Sequence, residues 1–227
     1  DFNHKGLCKI FNDINSKQVS MLERPLKETG IEIFIRYNEA INILHKVKYF
    51  NEQTYGGIVS SRKPFGIESN FSKFVLSESK THNIKLYKVG GVGFIEEKDV
   101  VSKKELIDKI KVIVSKASPG DDTYPHKIIS EPIIALPKSV CTETYLVIDI
   151  LENENQAKNL IKYMKTNFFR FMMSLVKNTQ NITKGVFVFV PKLNMDEEWT
   201  DEKLYKKYKL KQDEIDFIAT IVKKMDS

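Results

Sequence analysis

Three polar, irregular segments hold the side chains that could do chemistry. The first is Ser60-Ser61-Arg62-Lys63-Pro64-Phe65-Gly66, where hydroxyls and adjacent cations sit beside a proline that fixes the chain. Lys63 and the backbone N–H groups of such a loop suit phosphate, and Arg62 carries the two donors that read a guanine edge. The second segment runs from Lys116 to Lys127 and gathers Lys116, Asp121, Asp122, Tyr124, His126 and Lys127. Adjacent aspartates near a lysine are what Mg²⁺-dependent phosphodiester cleavage uses. No strand-borne Glu-x-Lys follows them, however, and Glu131 precedes a proline. Acceptance from a cytosine amino group, or the capping of a turn, suits Asp121 and Asp122 better. The third segment, Lys177 to Gly185, contains no acid. Its Gln180 can take adenine with two hydrogen bonds, while Lys177 and Lys184 can neutralise phosphates. Ser61, Lys116, Tyr124, Lys127 and Thr179 complete the set of candidate DNA contacts. Each segment alone is also what an ordinary surface loop looks like.

These loops need elements to aim them. Ala157, Leu160, Ile161, Met164, Phe168, Phe171 and Leu175 recur at three- and four-residue steps, which predicts one long amphipathic helix over about 153–177 that delivers the third segment. Val186-Phe187-Val188-Phe189-Val190, closed by Pro191, reads as a strand after it. Upstream, Ile84 to Glu97 predicts a hairpin turning at Gly90-Gly91-Val92-Gly93, and Ser102 starts a short helix before the strand Val112-Ile113-Val114. Residues 128–136 and 140–150 read as two further strands. Downstream, Thr200 caps a helix, and Ile215, Phe217, Ile218, Ile221 and Val222 belong to a final one. At the start, helical spacing over residues 4–22 predicts a helix, Ile31 to Ile35 alternates like a strand, and Asn38 opens a helix through Val47.

The charge is concentrated. Residues 155–195 carry seven Lys or Arg and no Asp or Glu, against +6 for the whole chain, so the remainder sums to −1 (6 − 7). With a pI of about 9.0, the chain suits a polyanion partner. Cys8 and Cys141 stand far apart with no C-x-x-C, which fits reduced structural thiols. No apolar run approaches a membrane span, and Asp1-Phe2-Asn3-His4 is neither an initiator nor a signal peptide, so the expectation is a cytoplasmic fragment of something longer. There is no G-x-S-x-G, no Walker glycine loop and no H-E-x-x-H. Gly90-Gly91-Val92-Gly93 lacks dinucleotide spacing.

Seven runs appear in an order that resembles a known family. They are Ser60 to Gly66, Tyr124-Pro125-His126-Lys127, Ser139 to Tyr145, Lys165 to Phe171, Asn178-Thr179-Gln180, Phe189-Val190-Pro191 and Trp199-Thr200-Asp201-Glu202. Together they look like the C-terminal part of bacterial type II restriction-modification adenine methyltransferases, a part similar to the TaqI-like specificity domain. The resemblance implies a parent enzyme that moves a methyl group from S-adenosylmethionine to adenine N6, with this portion reading the target in double-stranded DNA beside a covalently linked methyltransferase domain. The family's Asn-Pro-Pro-Tyr-type motif and cofactor glycine motif are absent, so no cofactor and no methylation are expected of this portion alone.

The expectation is therefore an α+β module, a mixed sheet with packed helices and a helical C-terminus. Residues 1–50 would connect to a catalytic domain, and residues 51–227 would form the target-recognition domain. Two other readings compete with it. One is a metal-dependent nuclease around Asp121 and Asp122, and the other is a protein-interaction module that is basic by composition.

Overall fold

The computed structural model describes residues 6–15, 17–118 and 124–225, and within them the fold is α+β, with small sheets packed against helices. At its centre lies an antiparallel sheet of order β6-β5-β8, built from β5 (Ile110–Ser115), β6 (Ile133–Ala135) and β8 (Tyr145–Leu151). Alternation along β5 and β8 supplies both faces. Val112, Val114, Leu146 and Ile148 join the helices in one hydrophobic core, whereas Ile113 and Val147 join a second core. The second core is roofed by another sheet, in which β3 (Ile84–Lys88) pairs antiparallel with β4 (Gly91–Ile95) and parallel with β7 (Ser139–Cys141). The expected hairpin turns at Gly90 and Gly91, both at positive φ.

The helical layer comprises α1 (Ala40–Tyr49), α2 (Glu154–Lys165), α3 (Asn167–Ser174), α4 (Asp201–Lys207) and α5 (Gln212–Ile221). The predicted single helix over 153–177 is divided between α2 and α3, because Thr166 turns out to an extended ψ of 149°. One hydroxyl serves both ends: Thr166 Oγ1 donates to the Tyr163 carbonyl (2.7 Å) and accepts from Phe169 N–H (3.1 Å). Asp201 takes the N–H groups of Asn167 and Phe168, both at 2.9 Å, which answers donors that a helix start leaves orphaned. Arg170 is fully buried and donates to the carbonyls of Thr166, Lys165 and Lys223 and to Asn167 Oδ1. Burial pulls its guanidinium down to about 10, so it stays charged at neutral pH.

Lys111, also fully buried, explains why the expected helix after Ser102 shrinks to one turn at Lys104–Leu106. Its three ammonium protons go to the carbonyls of Leu106 (2.9 Å), Ile107 (3.2 Å) and Lys109 (2.6 Å), which closes the turn and sends the chain into β5.

Other expectations change at the ends. The spacing of Leu7, Ile10, Phe11 and Ile14 does not make a helix: β1 (Leu7–Ile14) and β2 (Lys17–Pro25) form an antiparallel hairpin. Four-residue steps are also even steps, so Ile10 and Ile14 share a strand face as readily as a helix face. Ile31 to Ile35 buries Ile31 and Ile35 without pairing as a strand, and the Ile35 carbonyl accepts from buried Arg24 instead. The run Val186 to Val190 is likewise not a strand but follows a tight turn over Lys184–Phe187 into the helical core. Of residues 128–136, only β6 pairs. Asn38 lies before α1 but does not cap it, because its carboxamide holds Arg24 (2.9 Å) and the Ile10 carbonyl (3.1 Å). Thr200 does cap α4, accepting from Lys203 N–H. Residues 31–47, placed by sequence in the connecting segment, contribute Ile31, Ile35, Tyr37 and the buried side of α1 to the same core as α3 and α5. No helix among the described residues is long and apolar enough to cross a membrane.

Two outcomes follow from the buried cations. Arg170→Met orphans four acceptors at the α2–α3 joint, at about 1–3 kcal/mol for each that water cannot reach. A loss of about 3 kcal/mol or more is expected in urea melts. Lys111 carries the second. Burial pulls its ammonium down to about 8 from 10.5, so between those values the unfolded chain holds more protons than the folded one. As pH climbs through that window the wild type should gain stability relative to Lys111→Met, a difference read from paired melts between pH 7 and 11.

Candidate nucleic-acid interface

The first segment is laid against the β8 end of the central sheet. Ser60 N–H donates to the Val147 carbonyl (2.9 Å), and Val147 N–H donates back to Ser60 Oγ (3.0 Å). The loop turns through Lys63 at φ 57° and Gly66 at φ 74°, where a Cβ would fall 2.6 Å from the Val101 side chain. Glu143 then fastens it. Arg62 Nε donates to Glu143 Oε2 (2.7 Å), Ser69 donates from its N–H and hydroxyl to Oε1, and Glu143 N–H donates to the Ile67 carbonyl (2.9 Å). The Arg62 hydrogen bond above all holds the Glu143 carboxyl at about 2, well below the usual carboxylate range. Lys63 pairs with Glu68. Arg62 remains 69% exposed, and neither Nη group has a partner among the described residues.

The second and third segments meet each other. Lys116 N–H donates to the Thr144 carbonyl (2.8 Å), and Ile182 N–H donates to the Lys116 carbonyl (2.8 Å). Ala117 and Asn181 form an antiparallel bridge, and Ser118 gives both its N–H (3.1 Å) and hydroxyl (2.8 Å) to the Gln180 carbonyl. The turn 142–144 therefore holds the first segment through Glu143 and the second through Thr144. From Arg62 to Gln180 the three segments form one hydrogen-bonded ledge. On it, the side chains of Ser61, Lys116, Gln180 and Lys184 have no partner among the described residues, while Thr179 Oγ1 donates to the Asn181 carbonyl (3.2 Å).

Other candidates stand apart from that ledge. Tyr124 is a structural pin: its hydroxyl bonds that of Tyr37 (2.8 Å), and its N–H and carbonyl bond the Asn15 carboxamide at the hairpin turn. Its ring lies 4.1 Å from that of His126. Lys127 is exposed, and its side chain has no partner among the described residues. Lys177 is half-buried beside Arg36. Asp121 and Asp122 lie outside the described residues, as does any metal arrangement built on them.

The charge concentration read from residues 155–195 is largely answered in space. Lys162 pairs with Glu198 (2.6 Å), Lys165 with Glu131 (2.5 Å) and Lys192 with Asp149 (3.3 Å), while Arg170 is buried. Lys158, Lys177 and Lys184 have no carboxylate partner among the described residues. A cleft of about 440 Å³ beside Trp199 has its polar lining similarly committed: Asp201 to the start of α3, Lys162 and Lys165 to acids, and Trp199 Nε1 to the Asn194 carbonyl. Sequence reasoning missed Glu143, Thr144 and Arg36. Glu143 sits in the Thr-Glu-Thr turn between two strands, 81 residues from Arg62, so no local signal in the sequence marked the pair. Comparison with protein-family models finds no match, and comparison with curated proteins finds none either.

Glu143 gives the ledge an acid limit. Its folded-state value lies below its ordinary 4.5, so its contribution is present above 4.5 and is lost as pH falls toward about 2. Glu143→Gln should lower the melting temperature at pH 7, and the gap to wild type should close between pH 4.5 and 2.

Proposed function

We propose that this chain is the target-recognition part of an N6-adenine DNA methyltransferase of the restriction-modification type. In this reading it contacts duplex DNA while a linked catalytic domain holds S-adenosylmethionine. The observation that carries the reading is the ledge. Three loops expected to contact DNA, separated by more than 110 residues from Arg62 to Gln180, are fastened edge to edge, and the side chains of Ser61, Lys116, Gln180 and Lys184 and the Nη groups of Arg62 have no partner among the described residues. The free Nη groups of Arg62 suit guanine O6 and N7, and the Gln180 carboxamide suits adenine N6 and N7. Lys116, Lys127 and Lys184 suit phosphates, which position a duplex without reading it. Lys63 joins them by exchanging Glu68 for phosphate. Holding the duplex here fits a parent that flips its adenine elsewhere. The pairing of Lys162, Lys165 and Lys192 with acids favours a second reading, a protein-interaction module.

Selection of the chain's preferred sites from a random duplex pool, at two salt concentrations, separates the two readings. The expected result is one short, adenine-containing motif. Arg62→Ala and Gln180→Ala should each relax one position by about 1–3 kcal/mol. Lys184→Ala should weaken all sequences alike and lower the salt slope by about one. No duplex binding even at low salt would sink the DNA reading and leave the interaction module.

A further inference from the structure

The turn 142–144 fastens a further element besides the loops of the ledge. Thr142 N–H donates to the Tyr87 carbonyl at the end of β3 (3.0 Å), next to Glu143, which holds the first segment, and Thr144, whose carbonyl holds Lys116. The strand directions bring these ends together. β3 runs parallel to β7, with Tyr87 opposite Cys141, so both strands finish at the same edge of the molecule. β5 finishes there too, because Ser115 lies opposite Tyr145 at the start of β8. The β3–β4 turn is thus the next neighbour of the ledge, with Val89 two residues past Tyr87 and at most about 7 Å beyond it.

That turn is braced and apolar. Lys88 Nζ lies 4.4 Å from the centre of the Phe74 ring and donates to the Val89 carbonyl (3.2 Å). Phe74 lies against Gly93, where a Cβ would fall 2.7 Å from its ring, and Val75 and Phe94 exchange backbone hydrogen bonds of 3.0 and 2.8 Å beside β4. Held in this way, the tip presents Val89-Gly90-Gly91-Val92. Val89 is 67% exposed, and a Cβ on either glycine would meet nothing within 4 Å. Short hairpin loops favour Gly, Asn and Asp, so an exposed valine here serves neither the turn nor the core. No Asp or Glu occurs between Ile84 and Ile95, and the ledge's own acids, Glu143 and Glu68, are taken by Arg62 and Lys63.

The chemistry beside the tip identifies what an apolar residue there would meet. On the DNA reading above, on which this inference rests, Arg62 faces guanine O6 and N7 and Gln180 faces adenine N6 and N7, all major-groove atoms. The apolar group that base pairs display in that groove is the C5-methyl of thymine. Every adenine in a duplex site supplies one on the opposite strand. We propose that the β3–β4 turn is a fourth contact element, and that Val89 reads a thymine by packing on its methyl group.

The test uses the whole chain and the duplex it selects from a random pool, remade with deoxyuridine at one thymine at a time, which removes only the methyl. One such replacement should weaken wild-type binding about fourfold, the factor that burying a methyl group is worth. Val89→Ala, at an exposed position, should melt like wild type, bind the thymine duplex several-fold more weakly and be indifferent to that replacement. A wild type that tolerates deoxyuridine at every position, while keeping its selected motif, would overturn the valine contact and leave the DNA reading intact. An equal loss on replacement in Val89→Ala and wild type would assign the methyl to another residue and overturn the contact likewise. Selection of no duplex at either salt concentration would overturn the DNA reading and the contact with it.

Discussion

A buried guanidinium sets the geometry of the helical layer. Arg170 has no carboxylate in contact among the described residues, and its charge is answered by main-chain carbonyls from the end of α2, the α2–α3 joint and the C-terminal segment. A charge moved out of water is tolerated only when such acceptors surround it. The requirement runs both ways: those carbonyls are available only because the helix breaks at Thr166, and the break is satisfied only because Arg170 and Asp201 attend to both of its sides. From that joint α3 runs through Phe168, Phe169, Phe171, Met172 and Met173, all buried, and releases the chain as the loop that reaches Gln180. The position of a surface loop is thus set some ten residues upstream by an interior cation.

Interior and surface cations divide a single sequence signal. Counting charges along residues 155–195 gives a strongly basic stretch, but a helix presents its residues to several neighbours, and acids from distant parts of the chain meet three of the lysines. What remains positive is Lys158 on α2 and, at the root and the far end of one loop, Lys177 and Lys184. Net charge describes long-range attraction, whereas contact depends on which charges lack a partner.

Much of the core was legible, because it rests on local periodicity. The glycine turn between β3 and β4, the strand β5 and the Thr200 cap each follow from a signal within a few residues. The Val-Phe-Val-Phe-Val run was not, since a fully buried segment has no polar face to betray its period. The β1–β2 hairpin failed for a related reason. Ile10 and Ile14 fit both periods, and what decides between them is Arg24, Asn38 and Asn12, polar groups whose partners lie 11 to 28 residues away. At the site, Arg62 and Gln180 were legible as polar residues in loops. Glu143 and Arg36 were not, because their significance arises from contacts across 81 and 141 residues.

The ledge has one property with a longer reach. The bonds that join its second and third segments are made by main-chain atoms and one serine hydroxyl: Ile182 N–H to the Lys116 carbonyl, and Ser118 N–H and hydroxyl to the Gln180 carbonyl. Backbone groups are the same whatever residue carries them. The identities of the side chains at 116 and 180 are therefore decoupled from the fold that displays them. Such a surface can drift from one specificity to another by single substitutions, with little loss of stability at any step to select against the change. Position 62 lacks that freedom, because its arginine is also a fastening, so the two ends of the same surface should differ in how readily they vary over evolutionary time.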